Sequence, residues 1–421
     1  MILYNLITFL YLPFALLKVF SKKEFSKEEI YRVKERFGFL PKKINDSEKY
    51  SIWIHAVSVG EVNTSLSLIE ELKEKYPEKN ILVTTTTVTG SHRLKKIYGD
   101  SLNHQYIPFD LFFSVQKFIN SWNPICMILI DTEIWPNMIE QCSKRNIPSI
   151  LLNGRLSNSS TKKYLKLSKF AKKLFSKINL IIAQSQEDKN NFMKLGAEKE
   201  KTFYDFSLKF DAANETLPGL SFKVDADALI DKKLIVCAST HPLEENILLE
   251  CFKNLDDDSC HLILVPRHPH RANEVGKIIE ESDIDFSFLE TDNQNILDLK
   301  NNISVVNQIG HLDSLFSIAD LAFIGGTLIP HGGQNFLEPV KYGLPLSSGK
   351  STFNFKGIAA ELLDLDILKQ GETVEQISLI WKNQLLDPSS SELKIKGKAY
   401  LSSKKGSVKR SVEKINNILK K

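Results

Sequence analysis

The chain has 421 residues, 42% hydrophobic and 25% charged, an ordinary globular composition at a length that suits two domains or three. Lys+Arg 55 against Asp+Glu 51 leaves a net charge of +4, too small an excess to mark a nucleic-acid binder. The cysteines, Cys126, Cys142, Cys237, Cys251 and Cys260, are odd in number, scattered and without a CxxC pair, which argues against a disulfide framework or a structural zinc site and fits a reducing compartment.

The first segment, MILYNLITFLYLPFALLKVF, is apolar from Ile2 to Leu17 apart from Asn5, Thr8 and Pro13. A spanning helix needs about 20 residues, so this segment is just long enough to cross a bilayer, or it lies in the interface. Lys18, Lys22 and Lys23 follow at once, which places the body of the protein on the cytoplasmic side. No basic residue precedes the run and no small-x-small site follows it, unlike a cleaved signal peptide. The expectation is an uncleaved anchor over residues 1–22; a hydrophobic first helix docked on the core is the competing reading.

Residues 24–45 are charged, and Arg32-Val-Lys-Glu-Arg-Phe-Gly38 reads as a solvent-facing helix closing at Gly38, with Pro41 beyond. Next comes SIWIHAVSVGEVNT, from Ser51 to Thr64. Ile52 to Ile54 reads as a buried strand, Ser58-Val59-Gly60 as a turn, and Leu66, Leu68, Ile69 and Leu72 as the buried stripe of a helix. Glu61 falls in the first helical turn. Helix-dipole favourability explains a carboxylate there by itself; a general base facing a cleft explains it equally.

The pattern then repeats. A β-branched strand begins at Ile81, and Ile125 to Ile130 runs into Asp131-Thr-Glu133-Ile-Trp-Pro-Asn137. Ile147 to Leu152 leads to Asn153-Gly-Arg155-Leu-Ser157, and Leu180 to Ala183 to Gln184-Ser-Gln. Strands alternating with helical patterns predict a parallel, doubly wound sheet, and the polar residues gather at the strand ends where such sheets bind ligands.

A composition break with Pro218 and Gly219 marks residues 214–233 as a linker between a first domain, 23–213, and a second, 234–400, followed by a Lys-rich helix over 401–421. The second α/β series has strands at Leu234–Ala238, Leu262–Val265, Leu321–Ile324 and Leu344–Leu346. They end in Ser239-Thr-His241, Pro266-Arg267-His-Pro-His270, Gly325-Gly326 and Ser347-Ser-Gly349. Two such halves with a cleft between them would suit a nucleotide-linked substrate.

Gly325-Gly326 and Gly332-Gly333 flank His331 and lead into Asn335-Phe-Leu-Glu338-Pro. Glycines there either let the backbone approach a phosphate or form two tight turns. Glu338 suits ribose hydroxyls, as acidic residues do in other nucleotide folds. Arg267 suits a phosphate or carboxylate by paired bonds, or is a solvated loop residue. His268 and His270 lack a partner at metal-ligand spacing. Lys209 is either solvated or a cation facing developing negative charge. There is no Gly-x-Ser-x-Gly elbow and no P-loop.

Taken together, RVKERFG, WIHAVSVGEV, DTEIWPN, NGRLS with Tyr164, LKFD, STH, PRHP, FIGGTLIPHGGQNFLEP and FNF closely resemble the 3-deoxy-D-manno-octulosonate (Kdo) transferases of lipopolysaccharide synthesis. The resemblance runs in order from about Arg32 to Phe355. It implies an α/β glycosyltransferase of the GT-B fold, with two Rossmann-like domains facing a cleft and an N-terminal hydrophobic membrane-anchor helix. It implies inverting transfer of Kdo from CMP-Kdo to a lipid A precursor, with no cofactor, no bound metal and no nucleic acid, at the cytoplasmic face of the inner membrane. On the same resemblance Glu61 is the general base, Asp131 and Glu133 form the acidic second motif, and Lys209 assists the transition state. Pro266, Arg267, Ile309, Gly310, His311, Asn335, Phe336, Leu337 and Glu338 match stretches that hold CMP. His311 stands where the family usually has an acid, and Gln334 where a histidine is common. The rival readings are a nucleotide-sugar epimerase of the same architecture and a membrane-tethered nucleotide-binding protein without catalysis.

Overall fold

The computed structural model describes residues 1–20, 30, 32–40, 50–212, 221–291, 294–386 and 390–420. The expected linker therefore lies partly outside the described residues, as do Lys22, Lys23 and much of the charged stretch 24–45. The chain divides into two compact units, Met1–Ala212 with Lys404–Lys421, and Ala213–Ser403.

Unit 1 is built on one parallel sheet. Its strands are β1 (Ile52–His55), β2 (Ile81–Thr85), β3 (Asn103–Tyr106), β4 (Cys126–Ile130), β5 (Ser149–Gly154), β6 (Leu180–Ala183) and β7 (Thr202–Tyr204). They lie in the order β3-β2-β1-β4-β5-β6-β7, so the winding direction reverses between β1 and β4. Side chains alternate across a strand. Accordingly Trp53 joins Leu82, Met127 and Phe118 on one face, while Ile52 and Ile54 join Val83 and Ile128 on the other. Helices cover both faces, which is why β1 is apolar at successive positions rather than at alternate ones.

Three segments differ from the sequence expectation or extend it. The Arg32 stretch is a short 3₁₀ helix, Val33–Phe37, and it faces solvent only in part: Lys34 is exposed, whereas Glu35 and Arg36 are buried. The Glu35 carboxylate accepts the Tyr106 N–H at 2.7 Å, and Arg36 donates to the Thr86 carbonyl at 2.7 Å. Both side chains thus satisfy backbone groups of neighbouring segments. Gly38 closes this turn at φ +79°, with Ser114 O only 2.3 Å from where a Cβ would stand. The C-terminal helix Ser407–Leu419 returns to unit 1, burying Val408, Val412 and Ile415 in the same core cluster as Leu68 and Leu72. Asp211 accepts the N–H groups of Gly406 and Val408 at its start.

The first helix, Ile2–Phe20, docks on unit 1 through Tyr4, whose hydroxyl donates to Asp110 at 2.7 Å and whose ring lies 6.1 Å from that of Phe170. Most of its other apolar residues are exposed, including Leu6, Phe9, Leu10, Phe14 and Leu17. Among the described residues no helix is long and apolar enough to cross a membrane.

Unit 2 repeats the design. Its strands are β8 (Lys223–Val224), β9 (Lys233–Thr240), β10 (Cys260–Pro266), β11 (Phe286–Phe288), β12 (Glu290–Thr291), β13 (Gln294–Leu297), β14 (Ile303–Val305), β15 (Leu321–Ile324), β16 (Leu346–Ser348) and β17 (Leu368–Gln370). Seven of them form a parallel sheet in the order β11-β14-β10-β9-β15-β16-β17, and β12-β13-β8 form a small separate sheet. The winding reversal here falls between β9 and β15.

Candidate active site

Open α/β sheets bind ligands beyond the strand ends at the point where the winding reverses. In unit 1 that point collects the carboxylates expected from the sequence. Glu61 follows β1 in the first turn of the helix Val59–Lys75. Asp131 and Glu133 follow β4, and Asp131 stands at φ +58°, a left-handed backbone that turns the chain out of the strand.

The four residues expected to act together are electrostatic neighbours. Burial pushes the Glu61 carboxyl up to about 8, the Val57 N–H that it accepts at 2.6 Å opposes the shift, the charges of Asp131 and Glu133 add to it, and Lys209 opposes it. Burial also raises Asp131, against the pull of Lys209 and of the Asn153 amide. Burial raises Glu133 to about 7, while the Trp135 indole N–H, donating at 3.0 Å, works the other way. A half-buried acid with its pKa near neutrality, beside two more carboxylates and one lysine, can take up a proton near pH 7–8. Among the described residues no group of His, Cys, Asp or Glu is arranged to hold a metal ion.

Two supporting residues have roles that only the fold reveals. Asn153, at the end of β5, donates to Asp131 and accepts from Ser207 Oγ at 2.9 Å and the Leu208 N–H at 3.2 Å. It thereby links the acidic motif to the segment carrying Lys209. Its place in NGRLS at a strand end was the available signal. Asp110 accepts the N–H groups of Asn137 and Met138 at 2.9 and 3.0 Å, capping the helix Pro136–Lys144. Burial raises its carboxyl to about 6.

Unit 2 treats its expected residues less uniformly. Arg267 is exposed at the end of β10 and Pro266 is buried in it. His241, after β9, has its ring 3.9 Å from that of His331 and its Nε2 3.3 Å from Gln334 Nε2. Burial lowers His241 to about 4, and the neighbouring His331, His268, Arg267 and Arg271 press it further down. This cluster at the winding reversal would suit a phosphate or carboxylate, and it brings His241 and His331 beside Arg267. Asn335 and Glu338 are half-buried and joined at 2.9 Å, whereas Phe336 and Leu337 are wholly buried in packing. Ile309 and Gly310 are exposed. The His311 ring is buried, with Nδ1 2.8 Å from Ser221 Oγ.

The Gly325–Gly326 turn departs from a phosphate cradle. Its N–H groups are already taken: Glu244 accepts from Gly326, Thr327 and Leu328 at 2.6 to 2.9 Å, and from His241 at 3.0 Å. Gly325 is required by close approach, since a Cβ there would stand 2.5 Å from Ser239 O. These glycines form a tight, internally satisfied turn, the plainer of the two readings.

Comparison with known proteins shows the family. The family model for 3-deoxy-D-manno-octulosonic-acid transferase (kdotransferase) matches residues 31–212. A 3-deoxy-D-manno-octulosonic acid transferase of Haemophilus influenzae is 36% identical over 352 residues, 82% of this chain and 81% of that protein. One from Rickettsia bellii is 33% identical over 408 residues, 93% of this chain and 92% of the relative. The chain belongs to the Kdo transferase family. It is a glycosyltransferase, and the epimerase reading is not favoured. A glycosyltransferase from Rickettsia africae superposes with a TM-score of 0.58 at 15% identity, covering 88% of this chain and 99% of that one, which shows a shared GT-B-like fold.

Proposed function

We propose that this Kdo transferase takes Kdo from CMP-Kdo and delivers it to a hydroxyl of a lipid A precursor such as lipid IVA, releasing CMP in lipopolysaccharide core synthesis. The observation that carries the reading is the gathering of Glu61, Asp131, Glu133 and Lys209 at the ends of β1 and β4, where burial raises the Glu61 carboxyl. An acceptor hydroxyl ionises far above neutral pH and needs a base as it attacks. A carboxylate whose pKa is raised toward neutrality is a stronger base than an ordinary one, and its ionised fraction grows as pH rises toward that value.

In the proposed step the acceptor oxygen bonds to the anomeric carbon of Kdo and its proton passes to Glu61. The bond from that carbon to the CMP phosphate breaks, and CMP leaves with the electron pair. Attack from the opposite side inverts the centre. Lys209 stabilises negative charge near the acids. Arg267, His268 and His331 offer positive or hydrogen-bonding groups for the CMP phosphate or the Kdo carboxylate, a task that a divalent cation performs elsewhere. Asn335 and Glu338 face the ribose in this reading. No bound metal or cofactor is required.

The exposed apolar residues of the first helix support attachment to the cytoplasmic face of the inner membrane, where a lipid acceptor would reside. Lying in the interface is the form of attachment that fits a helix carrying Pro13 and docked through Tyr4.

The test is the Glu61→Gln variant, incubated with CMP-Kdo and lipid IVA and followed by product mass. Transfer should fall by about 10²–10⁴-fold with CMP affinity unchanged. Full activity would remove Glu61 from the role, and CMP release without a glycosylated product would remove the acceptor assignment.

A further inference from the structure

We propose that unit 1 contains a seat for one fatty acyl chain beneath the first helix, an inference that rests on the acceptor being a lipid. A cavity of about 460 Å³ lies between the helix Ile2–Phe20 and the segments that follow β2 and β3. Ile7, Tyr11 and Ala15 line it from the helix, and Val88, Phe109 and Trp135 from the other wall. It is a groove open on one side, with Ile7 and Tyr11 each more than half exposed, and its volume, about three times the roughly 150 Å³ that holds benzene, suits a chain of the order of a dozen carbons.

The chemistry of the wall favours a hydrocarbon. Its charged members are already hydrogen-bonded to protein groups: Arg36 donates to Thr86 O at 2.7 Å, and Asp110 accepts from Tyr4 Oη and from the N–H groups of Asn137 and Met138. The rest of the lining is mainly apolar and aromatic, as in sites that bury most of an apolar ligand.

Two further observations select a lipid chain rather than a free apolar solute. The helix that roofs the cavity also exposes Leu3, Leu6, Leu10 and Leu17, each at least 55% accessible, so an acyl-rich phase meets the cavity wall directly. The cavity also adjoins the acids. Trp135 in its wall donates to Glu133 at 3.0 Å. Thr86 and Thr87, also in the wall, donate their N–H groups to Val57 O, and the Val57 N–H donates to Glu61. A chain held here tethers its head group beside Glu61 and Glu133. The helix would then be part of acceptor recognition as well as of membrane attachment.

The probe is terminally brominated dodecanoate, whose bromine quenches a neighbouring indole. Trp135 is the tryptophan at the cavity, while Trp53, Trp122 and Trp381 are wholly buried. The full-length protein should show saturable quenching, and Ala15→Phe, which fills the cavity from the helix, should abolish it. In transfer assays Ala15→Phe should raise KM for lipid IVA about tenfold more than KM for the deacylated disaccharide acceptor, because only the former loses buried methylenes. Absent quenching, quenching unchanged in Ala15→Phe, or equal changes in both KM values, including loss of activity on both acceptors, would overturn the seat. Wild-type protein that is quenched by the probe but glycosylates neither acceptor would instead overturn the lipid-acceptor reading and leave the seat standing.

Discussion

The Asn153 side chain holds Asp131 with its amide N–H and, through its amide oxygen, holds Ser207 and Leu208 immediately before Lys209. One neutral residue therefore fixes the spacing between an acid and a cation contributed by segments more than fifty positions apart in sequence.

Removing that side chain should disorder the charge arrangement while leaving the charges in place. Asn153→Gly is the suitable variant, because the native φ of +58° favours glycine over alanine. A hydrogen bond to a charged group contributes about 1.5–3 kcal/mol, so kcat should fall roughly 10- to 100-fold. CMP affinity should change little. Steady-state kinetics with separate titration of CMP inhibition checks the split.

Lys209 opposes the burial that raises Glu61 and Asp131. In Lys209→Met both carboxyls should ionise at higher pH. The rising limb of the pH profile of kcat/KM should move upward by about one unit, alongside a lower maximum. An unmoved limb would separate Lys209 from the acids.

Glu61 should make the enzyme less stable as it becomes competent. Its ordinary value of 4.5 in the unfolded chain becomes about 8 when folded. The folded state thus binds more protons between these values, and stability is lost as pH rises through that window. Glu61→Gln does not titrate. Its Tm should match the wild type near pH 4 and exceed it at pH 8, with about 2–4 °C for each kcal/mol recovered. Differential scanning fluorimetry across pH would show the divergence.

Glu244 should matter for structure before chemistry. It accepts four backbone N–H groups, of His241, Gly326, Thr327 and Leu328. In Glu244→Ala these donors lose their acceptor, at about 1–3 kcal/mol for each that stays dry. Hydrogen exchange at 326–328 should accelerate by at least about tenfold, a 1.4 kcal/mol change, and Tm should drop. Unchanged exchange would show that another group satisfies the turn.

The sequence by itself determined the sheet architecture and the position of the acids. Buried parallel strands are apolar on both faces, so Ile52–Ile54, Ile125–Ile130 and Leu234–Ala238 announce themselves, and Glu61, Asp131 and Glu133 stand at their ends in a recognisable order. The edge strand Asn103–Tyr106 has no such signature, because its sequence is polar and Glu35 and Arg32 meet it from a distant segment. Tertiary structure decided how the charged and polar groups were used. Glu35 and Glu244 were turned inward to backbone N–H groups, Glu61 was desolvated among like charges, and Asn153 was made a bridge. Local spacing cannot separate these fates, since a carboxylate or amide takes its role from the donors and charges that the folded chain brings to it from far along the sequence.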